Sequence, residues 1–362
     1  MKIIDIKVTP LFIPLKEVSP FSANPKRRGY HVLVEVFTDE GITGYGEAIP
    51  FTHGAISAYI EQQLKPMLVG QNPMQIEKLW DIMYRVRFGH GIKGISIYAL
   101  SAVEVALWDI IGKARDLPVY EMIGGLCRDK IKAYASLMEY RKPEEVADIS
   151  LRWVEEGYTA LKIHQGASNA IESVKAVRDA VGDDIEIMLD VNGAWNSQEA
   201  IKKARELEKY DLLWLEEPIW PVDDYDGLAR LRDKTDILIA GGENECTHYG
   251  FRELITRRAV DIIQPDVIMA GGISACRKIF ALAEVWNLQI ATHSFFFGPG
   301  IPATTHLSLS NMRSEWVEIN AVPLEAYFIQ PALRPEKGYV TVPDKPGLGI
   351  EIDEDVVKKY SM

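Results

Sequence analysis

ALKIH (160–164), EIMLDVN (186–192), LLWLEEP (212–218), LIAGGEN (238–244), DIIQPDV (261–267) and QIATHSF (289–295) are six short apolar segments, and a charged or imidazole-bearing residue stands at or near the end of each. A seventh, EWVEIN (315–320), carries Glu318. The residues concerned are Lys162 and His164, Asp190 and Asn192, Glu216 and Glu217, Glu243, Asp266, His293 and Glu318, and they recur every 23 to 28 positions. That is the span of one strand, one loop and one helix. Apolar runs of strand length alternating with helical patterns predict a parallel sheet. Seven or eight such units in succession predict a (β/α) barrel, with its chemistry at the C-terminal ends of the strands, where these polar residues fall.

Upstream, residues 2–13 alternate like a strand, and YHVLVEVFTDEGITGYGEA reads as a hairpin around Asp39-Glu40-Gly41. Two aperiodic stretches, 16–29 and 48–55, read as loops; the second holds His53. SIYALSAVEVALWDIIGKARD is the strongest helical pattern in the chain. Residues 1–125 therefore read as a small α+β domain. The tail from about 324 is rich in Pro and Gly and cannot continue the repeat, so it is expected to return to the N-terminal domain. The two loops would then cover the barrel mouth as a lid.

Composition narrows the function. The 362 residues carry a net charge of −12 without a basic run, which argues against nucleic acid or an anionic membrane as partner. Three scattered cysteines, Cys127, Cys246 and Cys276, read as reduced thiols of a cytoplasmic protein. The N-terminus lacks a signal peptide's apolar core, and no apolar run approaches the ~20 residues of a membrane helix.

Asp190, Glu216 and Glu243 stand at the ends of three successive strands, about 4.8 Å apart in a sheet. Alone, Asp190 would read as a helix cap. Three carboxylates in succession, without His or Cys among them, make a hard oxygen site suited to Mg²⁺, or Mn²⁺, rather than zinc. On the next two strand ends, Asp266 beside His293 would fix the imidazole tautomer and raise its basicity. Lys162 and His164 flank Ile163 and so point the same way. A metal between a His/Asp pair and a Lys/His pair suits abstraction of a proton next to a carboxylate, with the dianionic enediolate stabilised by cation and ammonium.

With these residues the chain resembles the enolase superfamily, and within it the mandelate racemase subgroup. The resemblance rests on ALWDIIGK, LKIH, LDVN, WLEEP, GGEN, QPD, the glycine pair of MAGG, ATHS and WVEIN, and it covers nearly the whole chain. It implies a (β/α)7β modified TIM barrel of the α/β class, here residues 126–323. An N-terminal α+β capping domain, residues 1–125, is completed by the C-terminal tail 324–362. It also implies one Mg²⁺ held by Asp190, Glu216 and Glu243, a base or acid at His293 with Asp266, a substrate-carboxylate contact at Glu318, and Lys162 near metal and carboxylate. Family members are often homo-oligomers.

His164 stands where the family's second lysine is expected, and its shorter reach and lower basicity disfavour racemisation. The leading expectation is dehydration of an acid sugar, an aldonate or aldarate, to a 2-keto-3-deoxy acid. A racemase, epimerase or cycloisomerase working on the same enediolate is the alternative, and a non-catalytic binding protein is the alternative of another class. Asn192, His53 and Arg28, with Lys26, Arg27 and Tyr30, are candidate substrate contacts; for the loop residues an ordinary surface role competes. The run Phe295–Phe297 and the residues Trp195 and Trp220 read either as pocket walls or as packing.

Overall fold

The computed structural model describes residues 1–16, 29–86 and 89–362. An antiparallel sheet opens the chain: β1 (Ile3–Phe12), β2 (Tyr30–Thr38) and β3 (Thr43–Ala48), in that order. Apolar side chains on its inner face rest on the helix Ile95–Arg115. Gly44 and Gly46 allow that contact. A Cβ at Gly44 would stand 2.1 Å from the carbonyl oxygen of Ala106, and one at Gly46 would stand 1.9 Å from that of Ala102. Against the expectation that no apolar run approaches a membrane helix, this 21-residue helix is long and apolar enough to pass for a span, yet it is a core helix, with Leu100, Val103, Leu107 and Ile110 fully buried. It packs between this sheet and the barrel.

The barrel follows as β4 (Ile131–Ser136), β5 (Ala160–His164), β6 (Glu186–Asp190), β7 (Leu212–Glu216), β8 (Ile239–Gly241), β9 (Ile262–Ile263), β10 (Gln289–Thr292) and β11 (Ser314–Asn320). Each strand pairs in parallel with the next, and β11 pairs with β4 to close the ring. Period-two alternation builds its interior in layers. Tyr134, Ala160, Met188, Trp214, Ala240, Ile262, Ala291 and Trp316, one from each strand, form an apolar plug. Two residues further along the chain from seven of these come Ser136, Lys162, Asp190, Glu216, Gln264, His293 and Glu318, on the strands or one residue past their ends. The floor of the site is thus a packed apolar layer, and its polar groups are the next layer up.

The strand–helix repeat ends at β11, and the next helix in the chain, Glu354–Tyr360, belongs to the tail. The tail returns to the N-terminal sheet instead: Leu15 bridges to Leu324, Leu11 bridges to Ser361, and the Met362 amide donates to the Pro10 carbonyl. A short strand, Tyr339–Val340, pairs antiparallel with the first residues of β4. One local expectation fails. His53 is not in an irregular loop; it is the first residue of the helix His53–Tyr59, after a 3-10 turn that Pro50 starts. Pro at a first helical position satisfies the backbone there, a start signal that the aperiodic sequence around it hides.

Candidate active site

Carboxylate oxygens of Asp190, Glu216 and Glu243 lie within 4.8 Å of one another. Asp190 is fully buried at the end of β6. It accepts hydrogen bonds from the backbone and side-chain amides of Asn192, at 2.8 and 2.9 Å, and His164 Nε2 lies 3.1 Å from its Oδ2. Burial works against its charge, but the His164 imidazole and the Lys162 ammonium outweigh that and hold Asp190 below its ordinary range. The side chain of Asn192 is thereby committed to the carboxylate.

Glu216, at the end of β7, is the hub. Lys162 Nζ stands 2.7 Å from Oε1, while Trp214 Nε1 and Gln264 Nε2 donate to Oε2 at 2.9 and 2.7 Å. Lys162, without solvent exposure, also pairs with Glu318 at 3.0 Å. Burial disfavours its ammonium, but the Coulomb pull of Glu216 and Glu318 raises it well above the usual lysine range. Glu318 moves the other way. Against burial, Lys162 and His293 hold it far below normal, and it accepts the Ser294 amide at 3.0 Å.

His293 is held at both nitrogens. Its Nδ1–H donates to Asp266 Oδ2 at 2.5 Å, while Nε2 lies 3.3 Å from Glu243 and 3.7 Å from Glu318. Burial lowers its basicity, but Glu243, Glu318 and Asp266 together raise it well above the ordinary histidine value. Burial pushes Asp266 up, with His293 opposing. Burial likewise pushes the Glu243 carboxyl to about 8; His293 opposes the shift, and the charges of Asp190 and Glu216 add to it. Glu217 behaves similarly, raised by burial and then by Glu243, and its Oε2 accepts Asn244 Nδ2 at 2.8 Å.

The second histidine is oriented too. His164 Nδ1 donates to the Leu137 carbonyl at 2.6 Å, which turns Nε2 toward Asp190. The three phenylalanines diverge. Phe295 stands edge-on to His164 (6.3 Å between centroids), Phe296 edge-on to His293 (6.2 Å) and Phe297 edge-on to His31 (5.6 Å). Trp195 is buried, and Trp220 is two-thirds exposed. His53 stacks on Tyr30 at 5.1 Å. Arg28, with Lys26 and Arg27, lies outside the described residues.

The ring thus gathers Lys162, His164, Asp190, Asn192, Glu216, Glu243, Asp266, His293 and Glu318. Sequence reasoning missed Trp214 and Gln264 as the groups that orient Glu216. The available signal was spacing, since each stands two residues from a plug or polar-layer position on its own strand.

Six carboxyl groups (Asp190, Glu216, Glu217, Glu243, Asp266 and Glu318) face one lysine and two imidazoles. The donor set fits a divalent cation. The three converging carboxyl groups offer only oxygen, and burial, with the charges of Asp190 and Glu216 added to it, disfavours the ionised form of Glu243, a cost that a divalent ion would relieve.

Two family profiles match. Residues 8–124 match the mandelate racemase / muconate lactonizing enzyme N-terminal domain, and residues 145–356 match the enolase C-terminal domain-like family. The chain belongs to the mandelate racemase family of the enolase superfamily. Among relatives of this family, it is 35% identical over 338 residues to the arabinonate dehydratase of Saccharolobus solfataricus, covering 91% of this chain and 90% of that one. It is 33% identical over 363 residues to the D-galactarolactone cycloisomerase of Agrobacterium fabrum, covering 95% of each. The crystal structure of a racemase from Streptomyces coelicolor with bound magnesium superposes with a TM-score of 0.89 at 27% identity, covering 99% of this chain and all of that one. Proteins similar to this chain are thus named as a dehydratase, a cycloisomerase and a racemase.

Proposed function

We propose that the protein binds Mg²⁺ through Asp190, Glu216 and Glu243 and dehydrates an acid sugar, an aldonate or aldarate, to a 2-keto-3-deoxy acid. The observation that carries this reading is the orientation of His293, whose Nδ1–H is fixed on Asp266 at 2.5 Å while Nε2 faces the carboxylate triad. The bound cation supplies Lewis-acid stabilisation of the negative charge that develops on the substrate carboxylate.

The remaining work falls to this chain's residues. Lys162 and Glu318 meet the substrate carboxylate: the ammonium counters its growing charge, and Glu318, a carboxylate in the free protein, takes up a proton as the second carboxylate arrives and hydrogen-bonds to it. His293 Nε2 takes the α-proton, and the C–H pair becomes the enediolate double bond. Collapse of that enediolate expels the β-hydroxyl, which leaves as water with a proton from His293 or from His164 Nε2. The enol so formed ketonises to the 2-keto-3-deoxy acid. Phe295 and Phe296 wall the two imidazoles and exclude water from them. The test is a panel of aldonates and aldarates with Mg²⁺, 2-keto acids being trapped with semicarbazide. Silence across the panel, against a chelator-treated control, ends the proposal.

Cycloisomerisation or epimerisation is the second reading, favoured by the galactarolactone cycloisomerase, which matches over 95% of both chains. The His164→Ala protein separates the two. If His164 donates the departing proton, water loss falls by about 10²–10⁴-fold, while His293 still washes deuterium into the α-carbon in D₂O. If the reaction is isomerisation, deuterium enters without keto acid in the parent protein.

The Glu243 carboxyl sets a pH dependence. A cation must displace its proton, so Mg²⁺ affinity is expected to weaken by up to about tenfold per pH unit below 8, with one proton released per ion bound. The folded value lies above the ordinary 4.5, so the metal-free protein loses stability as pH rises from about 4.5 to about 8, and Mg²⁺ restores it. Calorimetry in buffers of different ionisation enthalpy, with thermal melts, measures both effects. Equal affinity at pH 6.5 and pH 8.5 would contradict this assignment.

A further inference from the structure

The two members of the Asp266–His293 pair stand just past the ends of neighbouring strands, β9 and β10, and each is followed by a loop that enters a helix. After Asp266 comes the helix Gly272–Val285, and after His293 comes the helix Gly300–Leu309. Both helix entries are held by buried carboxylates from the capping domain. Glu104, on the helix Ile95–Arg115, accepts the Ile273 amide at 2.7 Å and the Ser274 amide at 3.0 Å. Ser101, one turn earlier, accepts the Gly271 amide at 2.9 Å, and Trp80 Nε1 donates to the Gly271 carbonyl at 2.8 Å. Glu47, on β3, accepts the amides of Gly298 and Gly300 through Oε2, at 3.0 and 3.1 Å. Glu47 is 1% exposed and Glu104 has no exposure. The approach is close enough to require glycine. A Cβ on Gly272 would stand 2.0 Å from Glu104 Oε2, and one on Gly298 would stand 2.9 Å from Glu47 Cδ.

We propose that Glu47 and Glu104 are positioning residues for the Asp266–His293 pair, each fixing the loop downstream of one partner so that the capping domain sets the register of the base. The role rests on the proposed function of His293. A carboxylate at a helix N-terminus is favourable in itself, since it meets unpaired amides and the positive end of the helix dipole. Here that same contact couples two domains at the one pair whose geometry governs proton transfer. The His293 loop is pinned at its start by Glu318 and at its end by Glu47, with Phe295 and Phe296 carried between the pins.

The test compares Glu47→Ala, Glu47→Gln and Glu104→Gln with the parent, all as full chains loaded with Mg²⁺. In Glu47→Gln the single amide oxygen can take both glycine N–H groups, so this protein is the conservative rescue. In Glu104→Gln both carboxylate oxygens are engaged, so one N–H loses its acceptor. Displacing a reacting group by about 1 Å costs about 10²-fold. The expected result is therefore a kcat lowered by about 10- to 100-fold in Glu47→Ala and Glu104→Gln, with KM within about threefold of the parent and Mg²⁺ affinity unchanged. Glu47→Gln stays within about threefold of the parent.

A second readout needs no substrate. The His293 Nδ1–H proton, held on Asp266, gives a low-field proton NMR resonance that shifts or broadens in Glu47→Ala and returns in Glu47→Gln. A lower melting temperature with unchanged kcat and an unchanged resonance would overturn the proposal and leave the carboxylates as domain glue. If the parent turns over no acid sugar, the functional proposal fails, while the resonance still decides the positioning role. Should Glu47→Ala fail to fold, Glu47→Asp, shorter by one methylene, supplies both readouts.

Discussion

Turnover by the His293→Asn protein is expected to fall by about 10²–10⁴-fold, the contribution of a positioned general acid–base group. Asparagine can still donate to Asp266 but presents no basic nitrogen toward Glu243, so the α-proton has no acceptor on that face. The loss should be in kcat. Magnesium affinity should stay near that of the parent, because none of the three oxygen ligand residues is altered. Steady-state assay of keto acid, alongside Mg²⁺ calorimetry, reads both quantities. A variant keeping a tenth of parental activity would remove His293 from the mechanism.

The second large effect belongs to Lys162. Its ammonium is fully buried and pairs with Glu216 at 2.7 Å and Glu318 at 3.0 Å. Methionine fills similar volume without the charge, and two carboxylates are left facing each other in the barrel. Removing one partner of a buried pair costs about 3–5 kcal/mol. Lys162→Met is therefore expected to unfold at clearly lower urea concentration and to lose activity, with Mg²⁺ recovering part of the stability because the ion takes over some neutralisation of Glu216. Denaturation with and without Mg²⁺ measures this. An unchanged midpoint in the metal-free protein would show that the pair carries little net energy.

Sequence alone reached the barrel because strand ends repeat. Buried parallel strands are apolar throughout, so a charged residue closing each run stands out, and Asp190, Glu216, Asp266, His293 and Glu318 could be read this way. The closing tail was legible as a break in the repeat. Glu47 and Glu104 were not legible. Each is a lone acid in an apolar run, indistinguishable from a surface position until the barrel places backbone amides against it. Gln264 and Trp214 were hidden for a related reason. Gln264 reaches the far oxygen of Glu216 from another strand, and Trp214, two residues before Glu216 on the same strand, reads as an ordinary apolar strand residue until its indole N–H is seen to turn toward that oxygen. His53 was misread because a single proline, not periodicity, starts its helix.

The helix Ile95–Arg115 carries a cost of another kind. One side of it packs against the helix Gly272–Val285, which follows it by about 160 positions in the chain. At about 5–20 residues per second of synthesis, a segment resembling a membrane span waits roughly 10–30 s for its cover. The nascent chain therefore offers chaperones, and the membrane-insertion machinery, an unshielded target over that interval. Substitutions along residues 95–115 should show first in the yield of folded protein, before any change in the enzyme that survives.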